Sequence, residues 1–214
     1  MLIDLHAHTR PCSPCSVQTA DELIQAAKQA GLHAICVTDH LYAWGGRAAQ
    51  ALARAQYGFT VFRGVEARTT LGDILVFGLD EDIPDGVDGV ELLRRVDEQG
   101  GASVLAHPFR HGGGLALWQW LEKEDLALDA NLAVRPEFVY LHAIETFNGQ
   151  VSADELRQAE DLARILGLPV VGGSDAHATG QVGATATEFA RPVADERELA
   201  REIREGRVRP RRLR

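Results

Sequence analysis

The sequence predicts an α/β fold: a distorted barrel of seven strands with helices packed around it. Apolar runs alternate with amphipathic helical stretches along most of the chain, which is the pattern of parallel strands joined by helical crossovers. Polar motifs recur where the predicted strands end: His6-Ala7-His8, Thr38-Asp39-His40, Gly64-Val65-Glu66, Ala106-His107-Pro108 and Ser174-Asp175-Ala176-His177. A closed barrel gathers such ends on one rim, whereas an open sheet focuses ligands at a single switch point. The 214 residues are short for eight full strand–helix units, so a distorted or seven-stranded barrel fits better.

The elements follow in order. Residues 1–5 form a short apolar strand. Thr19-Ala20-Asp21-Glu22 has capping-box spacing, with Thr19 as N-cap and Glu22 reaching back. The helix over 20–30 places Leu23, Ala26, Ala27 and Ala30 on one face and ends at Gly31. His33 to Thr38 is nearly all apolar, as expected of a strand buried on both faces. Residues 45–56 are alanine-rich and helical. Strands span 59–66 and 73–79, with Gly72-Asp73 as the turn between them. Val87 to Gln99 is a helix stopped by Gly100-Gly101. A strand over 102–106, a helix over 115–121 and a strand over 138–146 follow. A helix over 152–166 stops at Gly167, and strands at 168–172 and 184–189 precede a last helix over 195–205.

With 45% hydrophobic residues, residues 1–214 are expected to form one domain. No apolar run is long enough to cross a bilayer, and Met1-Leu2-Ile3-Asp4-Leu5-His6 reads as a strand start rather than a signal peptide. A cytoplasmic location is the expectation. Three cysteines suit a reducing compartment better than a disulfide framework. The net charge of -9 argues against a general nucleic-acid-coating role. The arginine-rich stretch from Arg201 to Arg214 reads as a solvated terminal segment.

The motifs carry the chemistry. Alternation along an extended chain turns His6 and His8 the same way, so they can grip one cation. His40, Glu66, His107, Asp175 and His177 supply further ligands, and Asp175 and His177 repeat the spacing of His6 and His8. Each also has a plainer reading, as a buried polar residue satisfied by neighbours or a surface group at a strand end. Asp4 and Asp39 read as carboxylates that orient the imidazoles. Five histidines, one glutamate and one aspartate exceed one ion's need. Their mixture of nitrogen and oxygen suits about two to three ions of zinc, manganese or iron better than magnesium alone.

Cys12-Ser13-Pro14-Cys15 is a C-x-x-C pair without the context of a redox motif or a second pair for a zinc knuckle. Its position after His8 makes Cys15 a candidate ligand, with a plain loop cysteine as the alternative. Cys36 lies mid-strand and reads as core, and His33 as structural. Arg68, Arg110 and His111 lie just past ligands and are candidates to contact an anionic substrate. His142 and Glu145 cannot face the same way along a strand. Glu145, nearer the strand's end, is the one expected to point into the site.

Taken together and in this order, from Asp4 to His177, these motifs resemble the polymerase and histidinol phosphatase (PHP) family of metal-dependent phosphoesterases. The pattern reads D-x-H-x-H, T-D-H, G-x-E, a histidine before proline, and S-D-x-H. The stretch Gly172-Gly173-Ser174-Asp175-Ala176-His177, followed by Val182-Gly183 and Thr185, resembles small stand-alone members. The resemblance implies a distorted, TIM-like (β/α)7 barrel with a di- or trinuclear site. It implies that His6, His8, Glu66 and Asp175 share one ion, that Glu66 and His107 serve a second, and that His40 and His177 serve a third. Two positions depart from the pattern. Many members carry histidine or aspartate where Cys15 falls, and a histidine on the strand where Asp73 is the nearest polar residue.

The expected activity is hydrolysis of a phosphate ester by a metal-activated hydroxide, with Asp175 or His177 accepting or returning a proton. The expected substrate is a small phosphomonoester or a nucleotide. A nucleic-acid end is less favoured by the acidic net charge, and no membrane partner is expected. Two alternatives stand beside it. An amidohydrolase-type barrel usually carries a metal-bridging lysine, but this chain has only Lys28 and Lys123, neither at a predicted strand end. A non-catalytic, metal-stabilised binding module would leave no open coordination position.

Overall fold

The computed structural model describes residues 1–40, 44–79, 81–112 and 116–214, with backbone alone at 44 and 45. Strands β1 (Leu2–Asp4), β2 (Ala34–Val37) and β3 (Thr60–Thr69) run parallel. Strand β4 (Gly72–Phe77) is antiparallel to β3 and to β5 (Ala102–Leu105). Strands β6 (Ala143–Asn148) and β7 (Val170–Gly173) continue parallel to β5. Beyond β1 on the other side lie β8 (Thr185–Phe189) and β9 (Val208–Arg212), each antiparallel to its neighbour. The order among the described residues is β7-β6-β5-β4-β3-β2-β1-β8-β9.

The sheet curls until β7 meets β1, so the expected distorted seven-stranded, TIM-like barrel is the fold. Beyond the last regular pairs, Asp175 N donates to His6 O at 2.8 Å and His8 N to Ala176 O at 3.0 Å. Deeper in the seam, the hydroxyls of Thr185 and Thr187 bond the backbone of Gly173 and Gly172. The glycines are needed there. A Cβ on Gly173 would lie 2.4 Å from His6 Cβ.

Alternation sorts the side chains. Ile3 and Leu5, Ala34 and Cys36, Phe62, Leu75 and Phe77, Val104, Ala143 and Val171 fill the interior. Helix α6 (Glu196–Arg204) plugs one end with Leu199, Ala200 and Ile203. Burying a ring such as Phe62 or Phe77 contributes about 1.5–3 kcal/mol. Helix α1 (Ala20–Gln29) covers the outer face of β2, and α3 (Gly89–Glu98), α4 (Leu117–Lys123) and α5 (Ala153–Leu166) cover the β4–β6 side. The Thr19–Glu22 capping box forms as expected, and Ser152 with Glu155 makes another at α5.

Several elements differ from expectation. The expected turn between β3 and β4 is present, but it falls at Thr70-Leu71 and makes the two strands an antiparallel hairpin. Gly72 and Asp73 therefore lie within β4 rather than in a turn. The alanine-rich helix α2 (Trp44–Leu52) ends in a π-helical turn, Ala53–Tyr57, closed by Gly58 at φ 56°. Residues 136–138 form a 3₁₀ turn, and β6 starts only at Ala143. The expected start of α4 at residue 115 lies outside the described residues. The terminal arginines are not merely solvated: β9 pairs with β8, and Arg209 and Arg211 both bond Glu188.

Candidate metal centre

Each strand delivers its polar residue to the rim opposite α6. On β3 the inward row Phe62, Gly64 leads to Glu66, and the chain beyond β2 pairs His40 with Glu66. On β1 the strict alternation is lost after Leu5. Ile3 and Leu5 pack inside, Ala7 packs outside, and His6 and His8 both turn to the site. Their Nε2 atoms come within 3.1 Å of each other. His107 and Asp175 adopt positive φ, 28° and 53°. Such conformations cost about 1–3 kcal/mol and persist where surrounding contacts impose them.

The donors converge. His6 Nε2 lies 3.3 Å from Glu66 Oε1 and 3.4 Å from Asp175 Oδ1. His8 Nε2 lies 3.2 Å from Glu66 Oε2 and 3.2 Å from Asp175 Oδ1. His107 Nε2 sits 2.9 Å from Glu66 Oε1, and His40 Nδ1 sits 3.3 Å from Glu66 Oε2. His177 Nδ1 is 3.6 Å from Asp175 Oδ1. Among the described residues three donor sets have all their ligand atoms within 4.8 Å of one another: His6, Glu66, His107; His6, His8, Asp175; and His8, His40, Glu66. His6, His8 and Glu66 each belong to two of them, and Glu66 alone of the three has two ligand atoms to divide, Oε1 facing His107 and Oε2 facing His40.

Charge reinforces the geometry. Burial opposes a charge on His6, yet Asp175, Glu145 and Glu66 raise its pKa well above the usual imidazole value. His8 is also buried, yet its hydrogen bonds to Asp175 and Glu66 raise it to about 9. Burial would push Glu66 and Asp175 up, but the surrounding histidines, His6 foremost, hold both well below the carboxylate range. Buried carboxylates here demand positive charge, and protons supply it when cations do not. Burial keeps His40 and His177 below the usual value, so their lone pairs are available. His107 Nδ1 is buried with no hydrogen-bond partner among the described residues. This donor set of imidazole nitrogen and carboxylate oxygen fits transition-metal-like divalent cations.

Supporting groups hold the ligands. Glu145 Oε1 faces His6 Nδ1 at 3.0 Å, while its Oε2 accepts from His107 N and from Asn148 Nδ2. Glu145 therefore points to the site, as expected, and orients a ligand. His142 lies just before β6, against Asp97 and Ser103. Asp175 Oδ2 accepts from Arg110 and from Asn148. Asp4 differs from expectation: its carboxylate takes the backbone N–H groups of His6, Ser174 and Gly183 rather than an imidazole. Asp39 reaches His8 only through Ser13. Ser13 and Asn148 carried no sequence signal, because their roles also depend on distant residues, Asp39 and His40 for Ser13 and Asp175 for Asn148.

A cavity of about 370 Å³ opens over the cluster. Cys15, Arg68, Arg110 and His111 line it, with Gln150 and Gln181. Cys15 is exposed on this wall and belongs to none of the three donor sets. His111 packs its ring on Trp118 at 4.5 Å. Asp73 reaches the floor, 4.0 Å from His107 Nε2. His33 and Cys36 lie away from the site, His33 accepting from Leu2 N and Cys36 within the interior core.

Fold and site together define an α/β barrel of the metal-dependent phosphoesterase type. A PHP domain model matches residues 4–115, just over half of the chain, and a PHP-associated model matches residues 153–208. An uncharacterised protein of Methanocaldococcus jannaschii is 33% identical over 118 residues, covering 51% of this chain and 68% of that one. A probable phosphatase of Vibrio campbellii is 27% identical over 207 residues, covering 85% of this chain and 79% of its own. A solved two-domain protein of Bacteroides vulgatus, described as containing a predicted PHP-like metal-dependent phosphoesterase, superposes with a TM-score of 0.72 at 17% identity, over 99% of this chain and 64% of that one. The lesion-specific endonuclease Q of Pyrococcus furiosus superposes with a TM-score of 0.68 at 16% identity, over 98% of this chain and 57% of that one. These structural likenesses show the fold. The chain belongs to the PHP family. No helix among the described residues is long and apolar enough to cross a membrane.

Proposed function

We propose that residues 1–214 act as one catalytic domain that hydrolyses a small phosphorylated molecule, a phosphomonoester or nucleotide, in the cytoplasm. One observation carries the reading. The ligand atoms of His6, His8, Glu66 and Asp175 crowd together beneath an open cavity whose wall carries Arg68 and Arg110. These four residues hold a first ion. Glu66 and His107 serve a second, with Asp73 nearby. His40 and His177 serve a third, with Cys15 on the adjacent wall. The set suits about two to three ions of zinc, manganese or iron. Bound divalent ions supply Lewis acidity that activates water and neutralises phosphoryl charge near neutral pH.

The chain's own groups do the rest. Arg68, Arg110 and His111 bind the phosphoryl oxygens from the cavity wall. Of the two candidate proton carriers, His177 is better placed to move a proton when two ions are bound and the third position is open. It is part-exposed, and burial and His8 keep it neutral near pH 7. Asp175 already spends one oxygen on Arg110 and Asn148 and serves chiefly as a ligand. The net charge of -9 favours small substrates over a nucleic-acid strand.

A panel of phosphomonoesters, nucleotides and single- and double-stranded oligonucleotides tests this. Hydrolysis of at least one small ester is expected, abolished by a chelator and restored by manganese or zinc. Cleavage confined to oligonucleotides would overturn the substrate class. No hydrolysis of any member by metal-loaded protein would favour the binding module.

A further inference from the structure

We propose that Ser13 is a positioning residue for the metal centre: its hydroxyl decides which nitrogen of His8 faces the cations and ties that imidazole to the backbone of His40. The inference rests on the metal-dependent reading above.

Ser13 sits inside the Cys12-Ser13-Pro14-Cys15 loop and is fully buried. The loop folds on itself, with Ser13 N donating to Thr9 O at 2.8 Å and Ser16 N donating to Ser13 O at 2.9 Å. That turn aims Ser13 Oγ at three groups. Asp39 Oδ1 lies at 2.7 Å, His40 N at 3.1 Å and His8 Nδ1 at 3.2 Å. A serine hydroxyl has one hydrogen to donate and two lone pairs to accept with.

The assignment of hydrogens follows from what each partner can do. The Asp39 carboxylate only accepts, so the Ser13 hydrogen goes to it. The His40 N–H only donates, so it takes one lone pair. The remaining lone pair faces His8 Nδ1, and that nitrogen must therefore carry a hydrogen. His8 Nε2 is the atom turned toward Glu66 Oε2 and Asp175 Oδ1, each at 3.2 Å, and it is left to bind a cation. Asp39 is itself anchored, accepting from Thr9 N and Thr9 Oγ1, both at 2.6 Å.

The contrast with His6 sharpens the point. His6 Nδ1 meets a carboxylate directly, Glu145 Oε1 at 3.0 Å. His8 meets a carboxylate only through a hydroxyl. The same hydroxyl holds the backbone of His40, which is joined to Asp39 by one peptide bond. Ser13 thus couples a ligand of the first proposed ion to a ligand of the third. The residue between the two cysteines, rather than a redox reaction of the cysteines, gives this loop a purpose.

The test titrates metal-free protein with zinc against a chromophoric chelator, in parallel with thermal melts. Wild type is expected to bind zinc. Ser13→Ala is expected to raise the zinc dissociation constant by about 10–100-fold, as loss of an outer partner of a metal-bound histidine does. Ser16→Ala is the matched loop control. Its hydroxyl bonds the backbone carbonyls of His8 and His177 and touches no imidazole nitrogen, so its constant should stay within about threefold of wild type. A protected His8 Nδ1–H signal in the proton NMR spectrum of zinc-loaded wild type should exchange rapidly in Ser13→Ala.

Equal zinc affinity in Ser13→Ala and wild type would overturn the role of Ser13 and leave the metal reading standing. Equal weakening in Ser16→Ala would assign the effect to the loop as a whole, which also overturns it. Wild type that binds neither zinc nor manganese would remove the metal reading itself. If Ser13→Ala does not fold, Asp39→Asn keeps the side-chain shape while removing the charge that holds the Ser13 hydrogen. It should weaken zinc by about three- to tenfold, and unchanged affinity there overturns the proposal.

Discussion

Gly173→Ala is expected to damage both stability and the metal site, because Gly173 lies where β7 presses on β1. An added Cβ would stand 2.4 Å from His6 Cβ, 2.8 Å from His6 N and 2.9 Å from Glu145 Oε1. Two of the three atoms belong to backbone or to the root of a side chain, so no rotamer change relieves the contact. Restoring an ordinary separation requires the strands to part by about 1 Å, a misplacement that can cost about 100-fold in activity at a preorganised site. The seam bonds from Asp175 N to His6 O and from Thr185 to Gly173 would stretch with it. Overpacking of this kind costs about 1–3 kcal/mol. For a chain of this length each kcal/mol lowers Tm by roughly 2–4 °C, so a fall of about 4–8 °C is expected for a mid-range cost. Thermal melts of metal-free protein read the first effect, and kcat/KM of metal-loaded protein on the best ester reads the second. Gly180→Ala is the control. Its Cβ meets nothing within 4 Å, and its Tm should hardly move. A Gly173→Ala variant that melts and turns over like wild type would refute the tight β7–β1 seam as the frame of the site.

Glu202→Gln tests a second structural claim. Glu202 is buried, and its hydrogen bonds with Arg207, helped by Arg191, hold its carboxyl down to about 2 against the burial that would raise it. A depressed carboxylate stabilises fully above its ordinary pKa and loses that contribution as pH falls through the folded value. The variant should therefore melt lower at pH 7, by about 1–2 kcal/mol after screening of the part-exposed arginines, and the gap should close between roughly pH 5 and pH 2. A gap that is absent at pH 7 or independent of pH contradicts this. Cys15→Ser should lower metal content by roughly one ion, because a hydroxyl is a much poorer ligand than a thiolate for zinc-like cations, and Cys12→Ser should not. Unchanged metal content in both would make Cys15 a plain loop cysteine, leave only His40 and His177 for a third ion, and favour a two-ion site.

The ligand motifs were legible in the sequence because a barrel repeats one geometry: a strand ends, and polar residues two apart turn to one side. Alternation also separated Glu145 from His142: three residues apart, they point to different surroundings, Glu145 to His6 and His142 to Asp97 and Ser103. The turn before β4 was legible, but its position was not. The hairpin uses Thr70-Leu71, which carries no glycine or asparagine, while Gly72-Asp73 looks like a turn yet begins a strand. Asp73 can lie in that strand because its carboxylate reaches the polar floor of the site instead of the apolar core. Strand β9 was hidden for a different reason. Val208-Arg209-Pro210-Arg211-Arg212 lacks apolar alternation, and it pairs with β8 at the end of the strand order, where a proline is tolerated. Ser13 and Asn148 could not be read locally, since part of what gives each its role, Asp39 and His40 for Ser13 and Asp175 for Asn148, lies far along the chain.

Metal content of the purified protein tests the central claim most directly. Elemental analysis after loading with manganese or zinc and removal of free metal should find about two to three ions per chain, since the converging donors exceed one coordination shell. His6→Ala, which removes a member of two donor sets, should lose at least one of them while keeping the fold. Less than one ion per chain in wild type, with none taken up on adding either metal, would contradict the account.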